Sequence, residues 1–179
     1  MSQKSNSIIL DADVVIKLHE LGLLDKFLTV NSVYLAGTVA SEARYSSDQF
    51  YGRQYIDLPS AIQAERVEVI DLDVRDLASC LDAIVKWQAP QLDDGERETI
   101  GIVYSVRRDL ILCLRDTAAI RCAVLIGLSG NVISIETALN RCGLKGKLEY
   151  GDSERRFRKI VHDAETERIQ KTSPDSNGL

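Results

Sequence analysis

Apolar positions along the chain change period repeatedly, and two kinds of segment alternate as they do so. Ser7 to Leu10 is a short apolar run that ends in Asp11, and it predicts a buried strand. From Val14 to Leu28 (VVIKLHELGLLDKFL) the apolar residues fall at helical spacing, with Gly22 dividing the segment. Ser32 to Ala36 predicts a second strand, and Gly37-Thr38 opens a helix with Glu42 close to its start. Gly52 to Pro59 has no period and predicts an irregular stretch, after which Val67 to Ile70 (VEVI) fits a third strand. Val74 to Trp87 is an amphipathic helix closed at Ala89-Pro90, because the residue before a proline resists helix. Asp93-Asp94-Gly95 starts a further helix to about Val106, and Leu110 to Leu114 (LILCL) is the most strand-like run of all. Thr117 to Gly127 is helical, Val132 to Ile135 a last strand, and Thr137 to Cys142 a short helix stopped by Gly143.

Strands that alternate with helices imply an α/β fold, a parallel β-sheet sandwiched by α-helices in a Rossmann-like three-layer arrangement. This domain is expected over residues 1–150 of the 179. From Gly151 the sequence turns strongly charged (DSERRFRKIVHDAETERIQK), with sparse apolar positions at Phe157, Ile160, Val161 and Ile169. Residues 151–179 therefore predict a charged helix that docks on the domain or a partner rather than forming core, then a disordered tail from about Thr172.

Composition narrows the class. Hydrophobic residues at 45% and charged ones at 27% are ordinary for a globular chain. No run approaches the roughly 18 apolar residues of a membrane span, and MSQKSNSIIL lacks the apolar core of a secretory signal, so a cytoplasmic protein is expected. The net charge of −5 argues against non-specific coating of nucleic acid or anionic lipid, yet it leaves room for a carboxylate-rich metal site. Cys80, Cys113, Cys122 and Cys142 form no C-x-x-C pair and read as buried free thiols. His19 and His162 are single and far apart, without zinc-protease spacing, and His19 reads as a surface helix residue.

The informative feature is where the acids fall. Parallel sheets place their chemistry at the carboxyl ends of the strands. Asp11 ends the first strand and Asp116 follows two residues after Leu114, so the two stand side by side if their strands are neighbours. Glu42 lies on the helix after the second strand, and Glu96 in the first turn of the helix opened by Gly95, in line with Ile100 and Val103. Any one of these acids is explained by helix capping and the helix dipole. Four converging carboxylates without basic partners are better explained by a divalent cation.

The same segments resemble the PIN-domain family. IILDADVVIKLHELGLLDKFL is similar to the family's opening strand, Asp and helix pair; TVASEA to its second motif, with Glu42 as the acid. LDDGERETIGIVYSV resembles its "L-D-x-G-E-x-E-A-I" segment, giving Glu96 with Glu98 as a neighbour. LILCLRDTAAIRCAVLIGL is similar to its fourth motif, with Asp116, and VISIETALNRCGL to its closing strand and helix. The match runs from Ile8 to about Leu144. Three positions depart from the pattern: Asp13 stands where Asn or Ser is common, Leu114-Arg115 where a Ser or Thr is usual, and Ile120 where an Arg is often found. The resemblance implies a PIN-like, VapC-type ribonuclease toxin of a toxin–antitoxin system. RNA would be its substrate, a cognate antitoxin its protein partner, and a homodimer its possible state. Asp11, Glu42, Glu96 and Asp116 would be both catalytic and metal-binding, holding Mg²⁺ or Mn²⁺, with Asp13, Asp94 and Glu98 around them.

Two alternatives stay open. One is a PIN-fold binding module without catalysis. The other starts from D-x-D-x-V at Asp11 to Val15, which also resembles the first motif of haloacid-dehalogenase-type phosphatases, with GDSE at Gly151 as a candidate last motif. Arg44, Arg53, Arg107, Arg108, Arg115 and Arg121 are candidates for a phosphate-binding rim or scattered solvated positions. Trp87 and Phe157 read as core or interface residues rather than base-stacking platforms.

Overall fold

A computed structural model describes residues 7–48 and 52–172. Its centre is a five-stranded parallel sheet built from β1 (Ser7–Leu10), β2 (Ser32–Ala36), β5 (Val67–Ile70), β6 (Ile111–Cys113) and β7 (Val132–Ile133), in the order β5-β2-β1-β6-β7. The three central strands, β2, β1 and β6, bury most of their side chains because both faces of the sheet are covered by helices, which is why they read as apolar runs. Among the described residues no helix is long and apolar enough to cross a membrane.

Crossovers between the strands supply the two outer layers. Between β1 and β2 come α1 (Ala12–Glu20) and α2 (Leu24–Val30), separated at Gly22, whose φ of 64° suits a residue without Cβ. After β2 the chain turns into the short α3 (Gly37–Glu42). Glu42 is thus the last residue of that helix and not near its start, because α3 ends after six residues at Ala43. The amphipathic α5 (Val74–Lys86) follows β5, and α6 (Asp94–Gly101) continues as a π-helical turn over Ile102–Val106. Between β6 and β7 runs α7 (Thr117–Leu125), and β7 is followed by α8 (Ile135–Arg141).

Two elements differ from the sequence expectation. The stretch from Gly52 to Pro59 is not irregular. β3 (Tyr45–Asp48) and β4 (Gly52–Tyr55) form an antiparallel hairpin, and α4 (Leu58–Gln63) follows with Asp57 as its N-cap and a proline in the first turn, where a missing N–H does no harm. The charged C-terminal segment also does more than dock. In α9 (Glu154–Thr172), Phe157 is 8% exposed and Ala164 fully buried, both joined to the main core, while Arg121–Glu167 and Lys171–Trp87 contacts hold its far half. The tail beyond Thr172 lies outside the described residues.

Cys80, Cys113 and Cys122 are buried free thiols as expected, and burial pushes Cys80 up to about 11 and Cys122 to about 12. His19 is not a surface residue: it is half-buried, with Nδ1 2.7 Å from Ser46 Oγ, and braces the hairpin against α1.

Candidate metal centre at the sheet switch point

The strand order reverses direction at the centre of the sheet. From β1 the chain moves outward through β2 to β5, then returns to β6 on the other side and moves outward to β7. In open α/β sheets the crevice at such a point, outside the carboxyl ends of the strands, is where ligands bind. Leu10 pairs with Cys113 in the last register position of β1 and β6, and the Asp11 N–H is 3.5 Å from the Cys113 carbonyl. Asp11 therefore stands at the mouth of that crevice, and Asp116 is three residues past the end of β6.

Asp11 is only 3% exposed, and α1 starts immediately behind it. Burial, with further repulsion from Glu96, Asp13 and Asp93, outweighs a contact from the Ala12 N–H and pushes its carboxyl up to about 7. Glu96 behaves alike. It is half-buried, and burial plus the charges of Asp93, Asp116 and Asp13 push it up to about 7 against one backbone hydrogen bond. Five carboxylates from β1–α1, α6 and the β6–α7 junction thus share one field. Among the described residues none of Asp11, Asp13, Asp93, Glu96 and Asp116 has a cationic partner within ion-pair distance.

Glu42 reaches the same helix start from the other side. A Cβ built on Gly95 would lie 3.3 Å from Glu42 Oε2 and 3.4 Å from Val39 Cγ2. A side chain at position 95 would require Glu42 and Val39 to shift by a few tenths of an ångström, so the glycine eases this approach of α3 to the first turn of α6.

Two of the four acids also serve their own helices. Asp116 caps α7, with Oδ1 accepting from the Ala118 and Ala119 N–H groups at 2.6 and 3.1 Å. Glu96 completes a capping box with Asp93: its Oε2 accepts from the Asp93 N–H at 3.2 Å, while Asp93 Oδ1 accepts from the Glu96 N–H at 2.8 Å. Among the described residues no three His, Cys, Asp or Glu side chains are gathered as a ready ion shell. The acids share a field while two of them are turned onto backbone donors.

Of the surrounding acids, Asp13 is exposed in the first turn of α1 and faces the site electrostatically. Asp94 is exposed and bonded to Arg97. Glu98 serves another purpose: it accepts from the Thr38 N–H at 2.8 Å and the Leu72 N–H at 3.4 Å, supplying the cap that α3 lacks in its own sequence. Asp93 is the site residue that sequence reasoning passed over. Its signal was the D-x-x-E spacing from Asp93 to Glu96, which marks a capping box.

The arginines divide by position. Arg107 and Arg108 precede β6, at the opposite end of the strands from the acids, and stack over Tyr34 and Tyr104. Arg121 is held by Glu167 on α9. Arg115 is the one beside the acids, in electrostatic reach of Asp13 and Glu20, but its guanidinium bonds Asp152.

The chain matches no protein-family model and no curated protein.

Proposed function

We propose that this chain is a metal-dependent endoribonuclease of PIN type, the toxin of a toxin–antitoxin pair, cleaving RNA phosphodiester bonds. The observation that carries the reading is that Asp11, Asp13, Asp93, Glu96 and Asp116 repel one another around the sheet switch point and that, among the described residues, none of them is in an ion pair, with Glu42 against the same helix start. Asp11 is buried and Glu96 and Asp116 half-buried among these acids, and a buried carboxylate facing like charges is destabilising unless something compensates it. The donor set is all oxygen and anionic, which suits a hard divalent cation such as Mg²⁺ or Mn²⁺. Asp11, Glu42, Glu96 and Asp116 would hold it, and when bound it supplies Lewis acidity to the phosphate and to water. The residues themselves set the geometry. Asp11 is fixed by the strand end, and Asp116 and Glu96 by the helix starts they cap, so the carboxylates present oxygens with little freedom left to lose.

A PIN-fold module without catalysis is the second reading, favoured by the backbone hydrogen bonds that occupy Glu96 and Asp116. The phosphatase reading loses its support: Asp152 of the GDSE segment lies in a 3₁₀ turn, fully buried and paired to Lys17 and Arg115, with no freedom to approach Asp11.

The test is cleavage of end-labelled RNA by purified protein. Cleavage with Mn²⁺ that EDTA abolishes and Asp11→Asn removes is the expected result. RNA left intact at every metal concentration would leave the binding module as the better reading. A small DNA-binding protein encoded next to this gene would support the antitoxin partner.

A further inference from the structure

We propose that the outward face of the β3–β4 hairpin is a stacking platform that receives an unpaired base of the RNA strand next to the acidic crevice. This rests on the nuclease reading for the identity of the ligand, and its geometry is independent of that reading.

Side chains alternate across a hairpin, so the register assigns its two faces. Ser46 and Gln54 pair across the strands on one face; Ser46 is 3% exposed and is tied to His19 on α1. Tyr45 pairs directly with Tyr55 on the other face, and Arg53 is the next outward residue along β4. The two rings meet edge to face with centroids 5.7 Å apart, and the Arg53 guanidinium carbon lies 3.8 Å from the Tyr45 centroid. Both rings are open to solvent, at 42% and 53% exposure.

A cross-strand tyrosine pair by itself would be ordinary hairpin stabilisation. Three further features suggest a ligand surface. The platform is anchored at its base: Ala43 and Ile56, the buried apolar residues nearest the rings in sequence, are 0% and 1% exposed, and the Ile56 N–H donates to the Arg44 carbonyl at 2.8 Å. It is within reach of Glu42, since Tyr45 is three residues beyond it and three residues span at most about 11 Å. Its chemistry is that of single-strand recognition, in which a ring supplies a stacking surface and an arginine a cation for the phosphate or for the base face. The far side of Tyr55 borders a cleft of about 260 Å³ that includes His19 and Arg66. That cleft offers room for the strand to continue.

The experiment measures binding of a fluorescein-labelled single-stranded 12-mer oligoribonucleotide in EDTA, with a duplex of the same sequence in parallel, so that no cleavage is required. The wild type should bind the single strand more tightly than the duplex. Tyr45→Leu and Tyr55→Leu should each weaken single-strand binding about tenfold, and Tyr45→Phe should restore it. Arg53→Gln, which leaves both rings in place, should weaken it several-fold and keeps the test alive if the leucine variants fold poorly. Wild-type protein that ignores the single strand, or leucine and glutamine variants that bind it as well as the wild type does, would overturn the platform. Mn²⁺-dependent cleavage is read separately on the same proteins. Ring-dependent binding without cleavage sinks only the nuclease reading, and cleavage with ring-independent binding sinks only the platform.

Discussion

Asp11 and Asp152 are equally hidden, at 3% and 2% exposure, and they are handled in opposite ways. Asp152 is placed between two cations: Lys17 Nζ is 3.6 Å from its Oδ2, and the Arg115 guanidinium bonds its Oδ1. Arg156 ties the same corner together by donating to the Arg115 carbonyl at 3.2 Å and the Gly151 carbonyl at 2.9 Å. Asp11 has no cation and is surrounded by other acids. The two cations of Asp152 come from the elements that carry the acids: Lys17 lies on the helix that Asp11 begins, and Arg115 is next to Asp116. The cations nearest the crevice are therefore already engaged by Asp152. Among the described residues one buried aspartate is paired with two cations and the other with none, and it is this contrast that the proposed metal centre would explain.

The largest expected effect tests the paired side. Asp152→Asn keeps the shape but leaves Lys17 and Arg115 facing a neutral amide, and removing one partner of a buried pair typically costs about 4 kcal/mol. For a chain of this size the thermal midpoint should fall by roughly 8–16 °C. A midpoint unchanged from wild type would mean that Asp152 is no better compensated than Asp11, and the comparison would fail.

The bare side should respond in the opposite direction. The folded-state value of about 7 for Asp11 lies above its ordinary 3.8, so the folded chain binds this proton more tightly than the unfolded one. Glu96 does the same, from 4.5 to about 7. The sign follows: the contribution of these two groups to metal-free stability is fully present near pH 4, is lost as the pH rises through about 7 and is flat above that. Asp11→Asn removes the larger part of that decline and should stabilise the metal-free chain at pH 8 by on the order of 3 kcal/mol. Urea titrations at pH 5 and pH 8 read this directly. A variant less stable than wild type at pH 8 would show that Asp11 is compensated by something other than a cation.

Metal linkage has the next effect in size. At about a hundredfold excess over its dissociation constant, Mn²⁺ should stabilise the wild type by about 2.7 kcal/mol at pH 8. The gain should shrink towards pH 5.5, where Asp11 and Glu96 carry protons. Asp116→Asn should hardly move metal-free stability, because asparagine caps a helix about as well as aspartate. It should still reduce both the Mn²⁺ gain and RNA cleavage. Equal protection of wild type and variant by Mn²⁺ would confine Asp116 to capping α7.

Most of this contrast was legible in the sequence on one side only. The strands showed because parallel strands covered on both faces are written as apolar runs, and LILCL could hardly be anything else. That Asp11 and Asp116 follow neighbouring central strands was legible from the strand ends alone. The paired side was not legible: Lys17, Arg115 and Asp152 are separated by up to 135 positions and meet only through the tertiary fold. The β3–β4 hairpin was missed for a different reason. Its inward face starts from the polar pair Ser46 and Gln54, so no hydrophobic alternation announces it, and it contacts α1 through the hydrogen bond between His19 and Ser46. The helix α4 was hidden by Pro59, which breaks a helix in its interior but is tolerated in its first turn. In α9 the charge is so dense that the stripe of Phe157, Ile160 and Val161 looked too small to join the core, and Ala164, which is fully buried, gave no signal of its own.

The smallest expected effect separates acidity from lack of compensation. Asp94 neighbours Asp93 and precedes Glu96 by two residues, yet it is exposed and bonded to Arg97 one turn on. If acidic character near the crevice were what mattered, Asp94→Asn would damage cleavage much as Asp11→Asn does. If the missing counter-charge is what matters, Asp94 is outside the set. An exposed pair of this kind contributes about 0.5 kcal/mol or less, so the variant's thermal midpoint should move by no more than about 2 °C. Cleavage and the Mn²⁺ gain should stay within about twofold of wild type. A loss of cleavage of tenfold or more with the midpoint unchanged would place Asp94 among the residues that orient the metal. The site would then extend along the first turn of α6 instead of stopping at the acids the fold has left bare.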